Sequence, residues 1–330
     1  MTAPEAGPAR SRARWTGLLR FAVSGGLLVL LVSKIGFGDL VPEHRSLPGT
    51  LAFLIIGVGL MALSIVVASW RWQQVLAVFD AHVPVRRLIS HCFAGQFVGN
   101  VLPSTIGGDV LRITRVSKDV GARDTAFASV LVERLTGFVS LPLVMLVGFL
   151  AQPSLAMTTN GWIALLAGVG TVVVFGFVLV VAGHPNLAGR FTEHENWMRY
   201  IGMVHIGVNR RRRHPRNALG VIATACLYQF IVVGGVYCAV HTIGLTIPNA
   251  AVLAFIPAVA IAQVLPISVG GFGLREGLLV LLLHPLGVET GQAVAVGLLW
   301  YAMVLIASLA GAPAFAIGHR ARPVPASGEA

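Results

Sequence analysis

Leu102-Pro103-Ser104-Thr105-Ile106-Gly107-Gly108-Asp109-Val110-Leu111-Arg112 is written a second time, slightly altered, as Leu265-Pro266-Ile267-Ser268-Val269-Gly270-Gly271-Phe272-Gly273-Leu274-Arg275. Leu, Pro, both glycines, Leu and Arg coincide at 6 of 11 positions, and 266 − 103 and 275 − 112 both give 163. Proline removes a helical N–H and glycine favours turns, so each copy interrupts the apolar stretch around it. Interrupted helices at matching places in two halves of an apolar chain point to a transporter-like binding site.

The surrounding composition sets the class. The chain has 330 residues, 56% hydrophobic and 11% charged, with a mean hydropathy of +0.81. A soluble protein carries about 25% charged residues, so too little polar surface is present to cover a globule in water. Several runs exceed the roughly 18 apolar residues that cross a bilayer. Leu27–Val32 does not alternate as a membrane β-strand would. The expected fold is an all-α polytopic integral membrane protein. The net charge of +11 sits in short connections between apolar runs, a topological pattern that argues against nucleic-acid binding. Cys92, Cys226 and Cys238 match no disulfide or zinc spacing and read as packing residues. No nucleotide, metal or cofactor motif is present.

Apolar spans fall at about 15–33, 50–70, 125–150, 161–183, 217–243 and 291–317. The two motif-bearing stretches, roughly 88–112 and 250–287, do not read as single helices. Arginine and lysine then fix orientation. Residues 1–14 form a basic tail, expected to be disordered and cytoplasmic, with Arg10, Arg12 and Arg14. Arg71, Arg86 and Arg87 precede the first motif, and Arg115, Lys118 and Arg123 follow it. Both sides are therefore cytoplasmic, and 88–112 enters and returns. Residues 151–160 and 241–249 lack Lys and Arg and are placed outside, while the Arg210–Arg213 cluster and the tail 318–330 are cytoplasmic. The simplest solution has six full spans and two re-entrant helical hairpins. The unit span–hairpin–span then occurs at about 50–150 and again, inverted, at 217–317, within one membrane domain over 15–317. Eight crossing helices are the alternative.

Non-helical backbone at membrane depth survives where it lines a cavity or is buried in protein. The glycine pairs permit tight turns, and Arg112 and Arg275 place a charge beside each. The ensemble suits an anionic group, such as a lipid phosphate; structural kinks with snorkelling arginines are the simpler reading. Glu133 and Arg134 lie within an apolar run, where charges face a cavity or a partner. Arg134 either completes the anion site, with Glu133 or Asp109 as counter-charge, or sits at the interface. Glu276 can pair with Arg275. Asp109 matches Phe272, so the halves are chemically unequal. Asn100 and Gln263, each three residues before its proline, bind ligand or satisfy backbone groups. Arg71, in Ser-Trp-Arg-Trp, closes the second span as a headgroup-level anchor or a headgroup contact.

Ser69–Trp72, Gly95–Arg112, Val132–Gly137 and Leu265–Gly277 together resemble the lysylphosphatidylglycerol synthase transmembrane family, the flippase-like membrane domain of the multiple peptide resistance factor. The resemblance runs from about residue 15 to 317. It implies movement of a lipid between leaflets. The aminoacyl transfer of that relative belongs to a soluble domain for which this chain has no room, so a transporter and not an enzyme is expected. The implied partners are membrane lipids with an anionic headgroup, a phospholipid or a lipid-linked glycan, and enzymes of lipid or glycan synthesis, in a prokaryotic cytoplasmic membrane with both termini inside. Two rivals stand beside this. A polyprenyl-donor glycosyltransferase needs acidic residues in an external loop, and has Asp39 and Glu43 beside Pro42. A non-transporting partner of a synthesis complex is the other.

Overall fold

A computed structural model describes residues 47–101, 107–184, 215–264 and 271–317. Every regular element among them is helical. In chain order they are α1 (Leu47–Val78), α2 (Val85–Val101), α3 (Gly107–Val120), α4 (Arg123–Ala151), α5 (Gly161–Gly183), α6 (Pro215–Thr242), α7 (Asn249–Ala262), α8 (Leu274–Leu283), α9 (Thr290–Leu309) and α10 (Gly311–Ala316). Five of these, α1, α4, α5, α6 and α9, are long and apolar enough to cross a membrane. They match five of the six expected spans. The first, 15–33, lies outside the described residues, as do the two tails and the Arg210–Arg213 cluster.

The apolar exterior fits a lipid solvent. Leu143, Leu146 and Leu150 of α4 and Val172, Val173, Val174, Phe177 and Val180 of α5 are all exposed. A soluble monomer rarely leaves so large an apolar patch uncovered.

The motif-bearing stretches form pairs of short helices, α2–α3 and α7–α8. Their lengths of 17, 14, 14 and 10 residues give about 26, 21, 21 and 15 Å at 1.5 Å per residue. Each is short of the roughly 30 Å hydrocarbon core. Pro103, Pro266 and Gly270 lie outside the described residues, so the turns themselves are not described.

The offset of 163 extends far beyond the motif. Adding it to the ends of α1–α4 gives 241, 264, 283 and 314, against observed helix ends at 242, 262, 283 and 316. Orientation follows from the α1–α6 contact. Gly57 lies against Cys238, Met61 against Gly235, and Gln74 accepts a bond from Thr224 Oγ1 at 3.2 Å. Numbers rise along one helix as they fall along the other, so the first helices of the two repeats run antiparallel. The repeats also exchange contacts. Gly148 in α4 abuts the backbone at Ala250 and Ala254 of α7, and Gly311 in α10 abuts Phe93 and Ala94 of α2. Since 311 − 148 is again 163, one glycine contact is made twice, from α4 of the first repeat and from α10, just after the last span of the second, each onto the first hairpin helix of the other repeat.

The glycine pairs do not play equal parts. The expectation that Gly107 and Gly108 form a turn is corrected: both are helical in α3. Gly108 instead allows α2 and α3 to touch, because a Cβ there would strike the Gly95 carbonyl. Gly271 does turn, at φ +80°. Gly273 follows at φ +78° where the first copy has Val110, which explains why α8 starts four residues later in register than α3. A β-branched side chain disfavours that left-handed backbone. Gly271→Ala should cost about 1–2 kcal/mol through its backbone conformation, and Gly108→Ala about 1–3 kcal/mol through overpacking. Asparagine separates the causes in thermal unfolding. Gly271→Asn should recover most of the loss, because Asn tolerates the left-handed region, whereas Gly108→Asn should recover none.

Candidate headgroup site between the repeats

Two polar centres sit where the repeats meet. The first is a buried charge cluster. Helix α1 continues to Val78 past the point where Ser-Trp-Arg-Trp reads as its end. Arg71 is therefore 5% exposed and not an interfacial anchor. Its Nε donates to Glu133 Oε1 at 3.0 Å, and its Nη2 pairs with the same oxygen. Arg112 Nη1 and Nη2 donate to Glu133 Oε2 at 3.4 Å. Arg112 also lies 3.6 Å from Asp109 and stacks over Trp72, with Cζ 4.2 Å from the ring centre. Trp72 is held by its own bond to Ser129 Oγ at 3.1 Å. Arg134, half-exposed, pairs with Asp109. Glu133 is thus shared by two guanidiniums and Asp109 by Arg112 and Arg134. Three positive charges against two negative leave one net positive charge in the cluster. Arg71 Nη1 and Arg112 Nε are buried without a hydrogen-bond partner.

The second centre is a cavity of about 270 Å³. Ser64 and Met61 of α1, Gln96 and Asn100 of α2, Tyr228 of α6, Gln263 after α7, Arg275 of α8 and Trp300 and Tyr301 of α9 line it. It therefore lies between the two hairpins. Arg275 is rigidly mounted. Its Nε and Nη2 donate to Glu276 Oε1 at 3.0 and 2.6 Å, and neither bond uses Nη1. Glu276 Oε2 in turn accepts from the Gly273 N–H at 2.7 Å, capping α8. Phe272, Trp300 and Tyr301 place their rings 5.2–5.7 Å from the guanidinium. Asn100 Nδ2 is buried with no partner. The Tyr301 hydroxyl donates to the Asn100 carbonyl at 3.4 Å, and Gln263 Nε2 to the Val259 carbonyl at 3.4 Å. Gln263 therefore satisfies backbone, while the Asn100 amide does not.

Tyr228 joins the centres. It lines the cavity, and Arg71 Cζ stands over its ring, 5.1 Å from the centre. The two motif arginines do not share one lining as the expected joint site requires. Arg275 lines the cavity, whereas Arg112, Arg71 and Arg134 are engaged in the cluster behind it. The offset explains this: Glu133 corresponds to Val296 and Arg71 to Gly234, so the second repeat lacks the partners that capture Arg112. Tyr228, Trp300 and Tyr301 escaped the sequence reading, because aromatic residues in apolar spans look like packing or interfacial anchors. Among the described residues no group of His, Cys, Asp and Glu could hold a metal ion. Asp39 and Glu43 lie outside the described residues.

A helical multi-pass membrane protein with two opposed repeats and a polar cavity at their junction is the class these features define. The chain belongs to the family described as the lysylphosphatidylglycerol synthase TM region, whose profile matches residues 17–311. It is also 25% identical over 313 residues to a UPF0104 membrane protein of Methanothermobacter thermautotrophicus, an alignment covering 86% of this chain and 87% of that protein.

Proposed function

We propose that this chain is a flippase-like lipid transporter of a prokaryotic cytoplasmic membrane, not an enzyme, and that it moves lipids with an anionic headgroup. The single observation that carries this is the placement of Arg275 in a polar cavity between oppositely oriented hairpins. A guanidinium presents a fork of donors that matches a phosphate, and the Glu276 bond fixes its direction. The net positive cluster behind Tyr228 adds to the attraction. The cavity is below the roughly 300–1,000 Å³ of a drug-sized site, so it takes a headgroup and leaves the acyl or prenyl tails in lipid. Rocking of the repeats about α1 and α6 then opens the cavity to each leaflet in turn. The charge pattern supports a cytoplasmic position for both termini.

Proteoliposomes carrying a fluorescent anionic phospholipid test this by quenching of the outer leaflet. The wild-type protein should equilibrate the label. Arg275→Lys keeps the charge and loses the fork, so it should slow the rate on the order of tenfold. Arg275→Gln should reduce it to the protein-free background, and because it strands the buried Glu276, Arg275→Gln/Glu276→Gln, which leaves no buried charge unpaired, should show the same loss of transport while unfolding closer to wild type. Wild-type rates in Arg275→Gln would overturn the assignment.

A further inference from the structure

We infer that the exposed face of α3 and the first half of α4 form a one-sided entry track for the lipid headgroup, leading from one leaflet to the Arg134–Asp109 pair; this rests on the transport reading above. Depth is the first observation. Arg134 follows the first residue of α4 by 134 − 123 = 11 residues, about 16 Å at 1.5 Å per residue. That is about half of the roughly 30 Å hydrocarbon core. Its side chain is 46% exposed, and that of Asp109 is 18% exposed. A charge open to its surroundings at such depth is expensive, and charges kept there mark substrate pathways. Between this pair and the rim, α3 turns a polar face outward. Val110, Thr114 and Lys118, four residues apart and so on one face, are all exposed, as is Arg123 at the same end of α4.

Charge is the second observation. The cluster holds three guanidiniums and two carboxylates, and Arg134 is the one guanidinium of the three that reaches the outside. Its release from Asp109 leaves no acid bare, because Arg112 stays 3.6 Å from Asp109. A lipid phosphate can therefore take Arg134 in exchange for Asp109, through the same forked donors. The line then runs inward without a break. Arg112 shares Glu133 with Arg71, and Arg71 stands over Tyr228, which lines the cavity.

The third observation is that the second repeat has no such track. At the offset of 163, Asp109, Thr114, Lys118 and Arg134 correspond to Phe272, Gly277, Leu281 and Gly297. The headgroup is thus taken up laterally from one leaflet, on the side of Lys118 and Arg123, which the charge pattern makes the cytoplasmic one.

Photo-cross-linking of the full-length protein tests this in phosphatidylcholine vesicles that contain a minor share of phosphatidylglycerol. Thr114→benzoylphenylalanine puts the probe on the track. Gly277→benzoylphenylalanine puts it at the counterpart, where an added side chain meets open space. Phosphatidylglycerol should be enriched in the adducts at position 114 on the order of tenfold over those at position 277, the size of one charge-assisted hydrogen bond. Arg134→Gln should bring position 114 down to the level of position 277 and slow transport by a similar factor. Arg134→Lys should keep part of the enrichment. Equal phosphatidylglycerol at both positions, or enrichment that Arg134→Gln leaves intact, would overturn the entry track, and transport that depends on Arg275 would still stand. Enrichment at position 114 in a protein that moves no lipid would support headgroup binding at Arg134 and overturn the transport reading.

Discussion

Glu133→Gln should be the most damaging single change in the protein. One carboxylate accepts bonds from Arg71 through Oε1 and from Arg112 through Oε2, with all three side chains largely withdrawn from solvent. Removing its charge strands two guanidiniums. Breaking a buried pair on one side costs about 3–5 kcal/mol, because the partner charge stays buried and uncompensated. Two partners place the expected loss at the upper end of that range. It should register as a large drop in the unfolding temperature in detergent, with loss of a monodisperse elution peak. Arg71→Met/Glu133→Leu/Arg112→Met removes the whole set, and should restore much of the loss, since apolar replacements of similar volume suit a buried site. If the single variant is as stable as wild type, the cluster is hydrated and not the lock between α1, α3 and α4 described above.

The second large effect is expected at the glycine contact made twice. A Cβ on Gly148 would run into the α7 backbone at Ala250 and Ala254, and one on Gly311 into the α2 backbone at Phe93 and Ala94. Backbone cannot swing aside as a side-chain tip can. Overpacking typically costs 1–3 kcal/mol, so Gly148→Val and Gly311→Val should each lose about 3 kcal/mol. Gly170→Val, at an open position of α5, should change little. Thermal unfolding of the three variants checks the set. The informative feature is the match between positions 148 and 311. An effect at one glycine and none at the other would contradict the repeated packing.

Much of this architecture was legible because proline, glycine and arginine are loud in an apolar background. The duplicated motif exposed the repeat, and loop charges set an inverted order that the antiparallel α1–α6 pair agrees with. The same offset could have found Gly148 and Gly311, which look like unremarkable glycines in apolar spans. Other features depend on distance in space. Arg71 reads as the end of a span because arginine usually marks the interface, and only a carboxylate 62 residues away explains its burial. Equivalence of Arg112 and Arg275 in sequence suggested equivalent roles. Their neighbours decide otherwise, through Glu133 against Val296 and Val110 against Gly273. Of the cavity lining, Asn100, Gln263 and Arg275 were legible, whereas Tyr228 and Tyr301 were not, since they are brought together by packing of α6 and α9 around the hairpins.

The central claim is that Arg275 holds an anionic lipid headgroup between the repeats. The lipids retained by the protein after mild extraction from its own membrane test it most directly, with wild type and Arg275→Gln purified in parallel and their lipids identified by mass spectrometry. The account predicts an anionic lipid enriched over its membrane abundance in the wild-type sample and lost from the variant, with annular zwitterionic lipid equal in both. The same anionic enrichment in both samples, or none in either, would contradict it.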